Sequence, residues 1–144
     1  MKAYIMKGSS KGMTSVDAEG NETVHLKRPE KVLAEECLQH GSSLSGREES
    51  FRYLTGCRQK AAVLVSEEPE ELWFPTLSKK NTDCIWISYL HAVKAFPAPF
   101  NQCEVLFDNG MRIALNCSCH TIGLQMKRCH VFLQKINGTA EKNK

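Results

Sequence analysis

The chain has 144 residues, a mass of 16.2 kDa, 42% hydrophobic residues, 24% charged residues and a formal net charge of +3. That length suits one domain with its own core, and near-average apolar and charged fractions exclude bulk disorder. No apolar run reaches the roughly 18 residues of a spanning helix, and the charged start Met1–Lys7 breaks before a signal-peptide core forms, so the chain reads as cytoplasmic.

A short strand is expected at Ala3–Met6, then a loop rich in Gly and Ser, then another short strand at His25–Lys27. Pro29 suits the first position of a helix and Gly41 its C-terminal cap. Between them Val32, Leu33, Cys37 and Leu38 recur at helical spacing, opposite Glu30, Lys31, Glu35 and Glu36. A second helix follows a tight turn, which makes an N-terminal helical hairpin. Ser45 and Glu48 are spaced as a capping box, Phe51 and Leu54 fall on its buried face, and Gly56 ends it.

The period then changes to that of strands. Ala61–Ser66 and Leu72–Phe74 flank the acidic, solvated turn 67–71, with Pro75 closing the second strand. Cys84–Val93 reads as one long central strand covered on both faces. Asp108-Asn109-Gly110 reads as a three-residue hairpin loop. That length pairs Phe107 with Met111, Val105 with Ile113 and Cys103 with Leu115, all apolar, whereas a two-residue loop would mix the faces. The last element is an amphipathic helix from about His120 to Ile136. Its stripe Ile122, Met126, Cys129, Leu133 and Ile136 suits core packing or, alternatively, a dimer seam. The whole is an α+β single domain over residues 1–137, with an antiparallel sheet and a disordered tail at 138–144.

Metal and thiol chemistry are weakly signalled. Cys117 and Cys119 are separated by one residue, whereas structural zinc sites space paired cysteines by two to four. His120 and His130 each directly follow a cysteine, a poor geometry for activating it in a helix. With an odd count of seven cysteines and a reducing compartment, no disulfide framework, metal or cofactor is expected. No phosphate loop, nucleophile elbow, dinucleotide fingerprint or zinc-protease motif occurs, so the chain does not read as an enzyme.

Charge is uneven along the chain. Residues 1–72 carry ten Lys/Arg against twelve Asp/Glu, and residues 73–144 nine against four, which permits an anionic partner. Arg47, Arg52, Arg58 and Lys60 follow the tight turn, Lys79-Lys80 sit in a loop, and Lys127-Arg128 mark the last helix. Gathered on one face they would make a footprint for phosphates.

Three ordered blocks carry a resemblance. Gly41-Ser42-Ser43-Leu44-Ser45-Gly46-Arg47, Phe74-Pro75-Thr76-Leu77-Ser78 and Cys84-Ile85-Trp86-Ile87-Ser88 resemble the ComK family of bacterial competence transcription factors, over roughly residues 28–116. The resemblance implies a non-enzymatic activator of DNA-uptake genes. It would bind double-stranded A/T-rich boxes as an oligomer, mainly through the minor groove. It makes Arg47 the first choice for insertion into the groove, with Gly46 allowing close backbone approach, and Lys79 and Lys80 as phosphate contacts. Arg52, Arg58, Lys127 and Arg128 complete the expected DNA-binding set. Glu35-Glu36 stand where relatives are more often basic. The chain also stops soon after Asn137, where longer members continue. That shorter end bears on two properties the resemblance implies, transcriptional activation and capture by the proteolytic adaptor of the family, and a truncated paralogue acting through protein–protein contacts is the alternative.

Overall fold

A computed structural model of the protein describes residues 3–115 and 117–142. In chain order the elements are β1 (Ala3–Ser9), β2 (Gly12–Asp17), β3 (Glu22–His25), α1 (Pro29–Gln39), α2 (Leu44–Thr55), β4 (Val63–Glu67), β5 (Glu70–Pro75) and β6 (Ile85–Ser88). A 3-10 turn (Tyr89–His91) leads into β7 (Ala92–Ala98), β8 (Gln102–Phe107), β9 (Arg112–Leu115) and α3 (Cys119–Lys142). The strands form a six-stranded antiparallel sheet in the order β3-β2-β1-β6-β5-β4 and a three-stranded sheet β7-β8-β9. The Asp108–Gly110 turn sets Cys103 opposite Leu115 and Val105 opposite Ile113, and the Phe107 amide donates to the Met111 carbonyl at 2.9 Å.

The large sheet is buried on both faces, so neighbouring residues along its strands belong to different cores. Met6, Val63, Val65, Trp73 and Trp86 pack with Leu33 and Cys37 of α1. Ile5, Leu64, Leu72, Phe74 and Ile87 point the other way, onto Cys103, Val105 and Phe107 of the small sheet, Phe51 of α2 and Ile122, Cys129 and Phe132 of α3. The α3 stripe is therefore core, and it is wider than the sequence suggested, since Phe132 and the polar Gln125 are also buried.

Several expectations are corrected. The Gly/Ser-rich segment is not a loop but includes β2, because Gly12 (φ +140°) brings the chain to β3 so closely that a Cβ would lie 2.1 Å from the His25 carbonyl oxygen. The following strand ends at His25 rather than starting there, with its register set by Met13 opposite His25. In α1 the buried stripe is Pro29, Leu33 and Cys37, and Leu38 is 67% exposed. The cap of α2 is Ser43, whose Oγ accepts from the Gly46 amide at 3.1 Å, not Ser45. Gly56 (φ +75°) closes α2 in the left-handed conformation that glycine reaches without steric cost.

The expected long strand 84–93 breaks at Tyr89. There the 3-10 turn hands the chain from the large sheet to the small one, held by the Asp108 amide donating to the His91 carbonyl at 2.9 Å and by Tyr4 stacked on His91 at 3.9 Å. Helix α3 runs to Lys142, so residues 138–142 of the expected disordered tail are helical, and Asn143 and Lys144 lie outside the described residues.

Candidate nucleic-acid interface

Antiparallel pairing sorts the loops of the large sheet onto two ends. The 9–12, 26–28, 57–62 and 76–84 segments meet at one end; they hold seven Lys/Arg (Lys11, Lys27, Arg28, Arg58, Lys60, Lys79 and Lys80) and one carboxylate, Asp83. The opposite end collects Asp17, Glu19, Glu22, Glu67, Glu68, Glu70 and Glu71. Asp108 belongs to that acidic end, because its partner His91 stacks on Tyr4 near the start of β1.

At the basic end Arg52, Arg58, Lys60, Lys79 and Lys80 surround a cavity of about 520 Å³, with Glu48 as the one acidic residue in its lining. Arg28, Glu30 and Lys31 share the adjoining groove with Lys79 and Lys80, with Arg28 Nε 3.6 Å from Glu30 Oε2. On the other side Arg58 and Lys60 share a groove with Arg128. The cations thus run from the 78–80 loop across the 57–60 segment to α3, while at the start of α1 Glu30 and Glu35 pair with Arg28 and Lys27.

Glu48 is 4% exposed and needs a partner at that depth. Lys79 supplies it, donating to both carboxylate oxygens at 2.9 and 3.0 Å, with Arg52 Nη2 at 3.8 Å. The side chains of Arg58, Lys60 and Lys80 enter no ion pair among the described residues. Trp86 forms part of the cavity wall, and its buried indole Nε1 has no hydrogen-bond partner among the described residues.

The rim is fastened from behind by one buried amide. Gln125 Nε2 donates to the Lys60 and Pro75 carbonyls, each at 2.9 Å, and Gln125 Oε1 accepts from Arg128 Nη1 at 3.3 Å. Lys60 needs this hold because its backbone is left-handed (φ +58°), a conformation that costs a non-glycine residue energy.

The expected DNA-binding set is divided. Arg52, Arg58, Lys79 and Lys80 come together at the cavity and Arg128 joins them through the next groove, whereas Lys127 is exposed on α3 outside the lining. Arg47 stands apart: its side chain is 18% exposed, with Nη1 3.4 Å from Glu67 Oε1 and Nε buried without a partner. Gly46 sits in the first turn of α2, where its amide donates to the capping Ser43 Oγ and an added Cβ would come 2.9 Å from that oxygen. Sequence reasoning left Lys60 out of the set and missed Arg28, Lys31 and Gln125. Charge was the available signal for the first three, and nothing marked Gln125.

Four of the cysteines point away from thiolate chemistry. Burial pushes the Cys84, Cys117 and Cys129 thiols up, and burial with the nearby Cys119 raises Cys103 to about 12. A nucleophilic or metal-binding thiolate needs the opposite shift. Among the described residues no group of three His, Cys, Asp or Glu side chains stands together as metal ligands, and no helix is long and apolar enough to cross a membrane.

The class these features define is an α+β domain of two antiparallel sheets that gathers cations at one end and carboxylates at the other. The chain belongs to the ComK protein family, whose model matches residues 3–141. It is similar to the competence transcription factor of Bacillus subtilis (strain 168), at 33% identity over 102 residues, covering 70% of this chain and 53% of that protein. The chain thus spans about half the length of the curated relative it matches. No solved structure matches it.

Proposed function

We propose that this protein is a DNA-binding regulator of competence genes, not an enzyme, and that it holds duplex DNA with its basic end. One observation carries the reading. Five cations from separate segments converge on one cavity, and the carboxylate among them is already satisfied by Lys79. Arg58, Lys60 and Lys80 remain for phosphates, whose neutralisation releases counterions and drives salt-dependent binding.

Selectivity for A/T-rich boxes follows from groove shape. An A-tract minor groove is narrow and strongly negative, so an exposed guanidinium gains there without a recognition helix. In this arrangement Arg58 takes the role that the sequence motif assigned to Arg47, since Arg58 is exposed and Arg47 is engaged with Glu67. Self-association would multiply a modest affinity per copy at paired boxes.

The test is titration of labelled duplexes, one with paired A/T-rich boxes and one G/C-rich, from about 50 to about 200 mM salt. Tighter binding to the A/T duplex, with affinity falling steeply as salt rises, is expected. Equal affinities would remove groove selectivity while leaving phosphate binding, and no binding at the lowest salt would overturn the reading.

A further inference from the structure

The hairpin between β7 and β8 ends in Pro99-Phe100-Asn101, and Phe100 at its tip is 95% exposed. Phe100 (φ +60°) and Asn101 (φ +56°) are both left-handed, and the Gln102 amide closes the turn on the Pro99 carbonyl at 3.3 Å. Turns of this hand favour Asn and Gly. Asn101 fits that chemistry. A phenylalanine is strained there and leaves its ring in water, and at 95% exposure it gains almost no packing against the described residues to offset either cost.

Resting on the DNA-binding reading, we infer that Phe100 is an apolar wedge that enters the minor groove at an A/T-rich box, partly unstacks a base step and bends the duplex. The fold puts the tip on the required side. β7 leaves the acidic end at Ala92, opposite Phe107, and reaches the tip beyond Ala98, opposite Gln102. At that end of the small sheet Leu115 pairs with Cys103, α3 starts at Cys119, and Gln125 then touches the Lys60 carbonyl at the basic cavity.

The electrostatics suit the same partner. From Val93 to Cys103 the one charged residue is Lys94, so no carboxylate at the tip repels phosphates. Behind the tip, Lys94 Nζ and the Arg112 guanidinium lie 5.1 and 4.9 Å from the Phe96 ring centre; Arg112 is held by Glu104 at 3.2 Å, which leaves Lys94 to meet phosphates beside the groove. Pro97 and Pro99 hold the backbone stiff, so little freedom is lost on insertion. A/T-rich sequence supplies the receiving site, because TA steps unstack and kink most readily.

The experiment uses the full chain with a duplex of paired A/T-rich boxes. One set of duplexes carries 2-aminopurine in place of adenine at a TA step, and another carries donor and acceptor dyes at its ends. Binding of the unaltered protein is expected to brighten the 2-aminopurine and bring the dyes together. Phe100→Ala should lose both signals and about tenfold in affinity, with the salt slope unchanged. Phe100→Trp should retain both signals, and Leu90→Ala, an exposed apolar residue near the acidic end, should change neither. Unstacking and bending undiminished in Phe100→Ala would overturn the wedge. So would a loss of binding explained by a smaller sedimenting mass of the free protein, which would make the tip a contact between copies. Failure of the unaltered protein to bind at all would instead overturn the DNA reading beneath it.

Discussion

The β4–β5 hairpin has two differently charged ends, separated by about 15 Å of strand. At its turn, Glu67, Glu68, Glu70 and Glu71 form an acidic tip that engages Arg47. Where the hairpin meets the rest of the fold, Lys60 precedes β4 and Lys79-Lys80 follow β5, and Glu48 beside them is enclosed and paired. The same residue type therefore does different work at the two ends. An arginine beside an exposed glutamate is a structural cation, while an arginine at a rim without a carboxylate partner is available to an anion from outside. If the basic end holds DNA as proposed, this polarity would also orient an approaching duplex, because the acidic end repels what the basic end attracts.

The largest effect that could break this contrast is expected from the combined Arg58→Ala, Lys60→Ala and Lys80→Ala variant. Its affinity for A/T duplex should fall roughly a hundredfold at moderate salt, with the slope of log affinity against log salt reduced by about 2 to 3. Arg47→Ala, at the other end, should stay within about twofold of the unaltered protein with the slope intact, because it removes no phosphate contact. Equal losses in the two variants would show that the ends are not distinct.

Gln125 sharpens the comparison from the inside. Gln125→Leu leaves the Lys60 and Pro75 carbonyls without their amide donor and Arg128 without its acceptor, and should cost about 2 kcal/mol of stability in denaturant unfolding. Because the rim loosens as well, DNA affinity should drop at temperatures where the variant is still fully folded. Lost stability with unchanged affinity would confine Gln125 to packing.

These residues show what could be read from the chain. Pro29, Gly56 and Phe51 were legible because helix ends and buried faces are local properties of neighbouring residues. Leu38 was misplaced because α1 rests only its Leu33–Cys37 edge on the large sheet, and spacing alone does not give the width of a buried stripe. The break at Tyr89 was hidden because either sheet accepts the same β-rich composition, and the change of sheet is enforced by Tyr4 and Asp108 from elsewhere in the chain. The division of the cations was hidden for the same reason. Arg47 stands in a motif, but its partner Glu67 lies twenty residues on, and Lys79 reaches Glu48 across thirty-one.

Glu48→Gln should separate charge from packing by moving two readouts in opposite directions. Removing the one carboxylate of the cavity lining releases Lys79 and Arg52 to the duplex, so affinity should rise about threefold at low salt. Stability should fall by about 1 kcal/mol, since the buried Glu48 side chain loses its charge attraction to half-exposed Lys79, which can itself swing into water. A fall in both would mean that Glu48 positions Lys79 for DNA rather than competing with it.

The smallest effect is expected at the acidic end. The hydrogen bond from His91, 2.7 Å away, holds the Asp108 carboxyl below its ordinary value, with Tyr4 adding to the shift. A carboxyl whose folded pKa is depressed contributes stability above its unfolded pKa, and that contribution is lost as pH falls through the folded value, below about pH 4. Asp108 is exposed to solvent, so screening leaves a few tenths of a kcal/mol. Thermal unfolding of Asp108→Asn should therefore start slightly lower at neutral pH, and the gap to the unaltered protein should close in strong acid. Its affinity for DNA should not change, because the Asp108–His91 pair lies at the end of the strands remote from the cavity. A change in affinity there would mean that the duplex reaches further along the molecule than the basic end alone provides for.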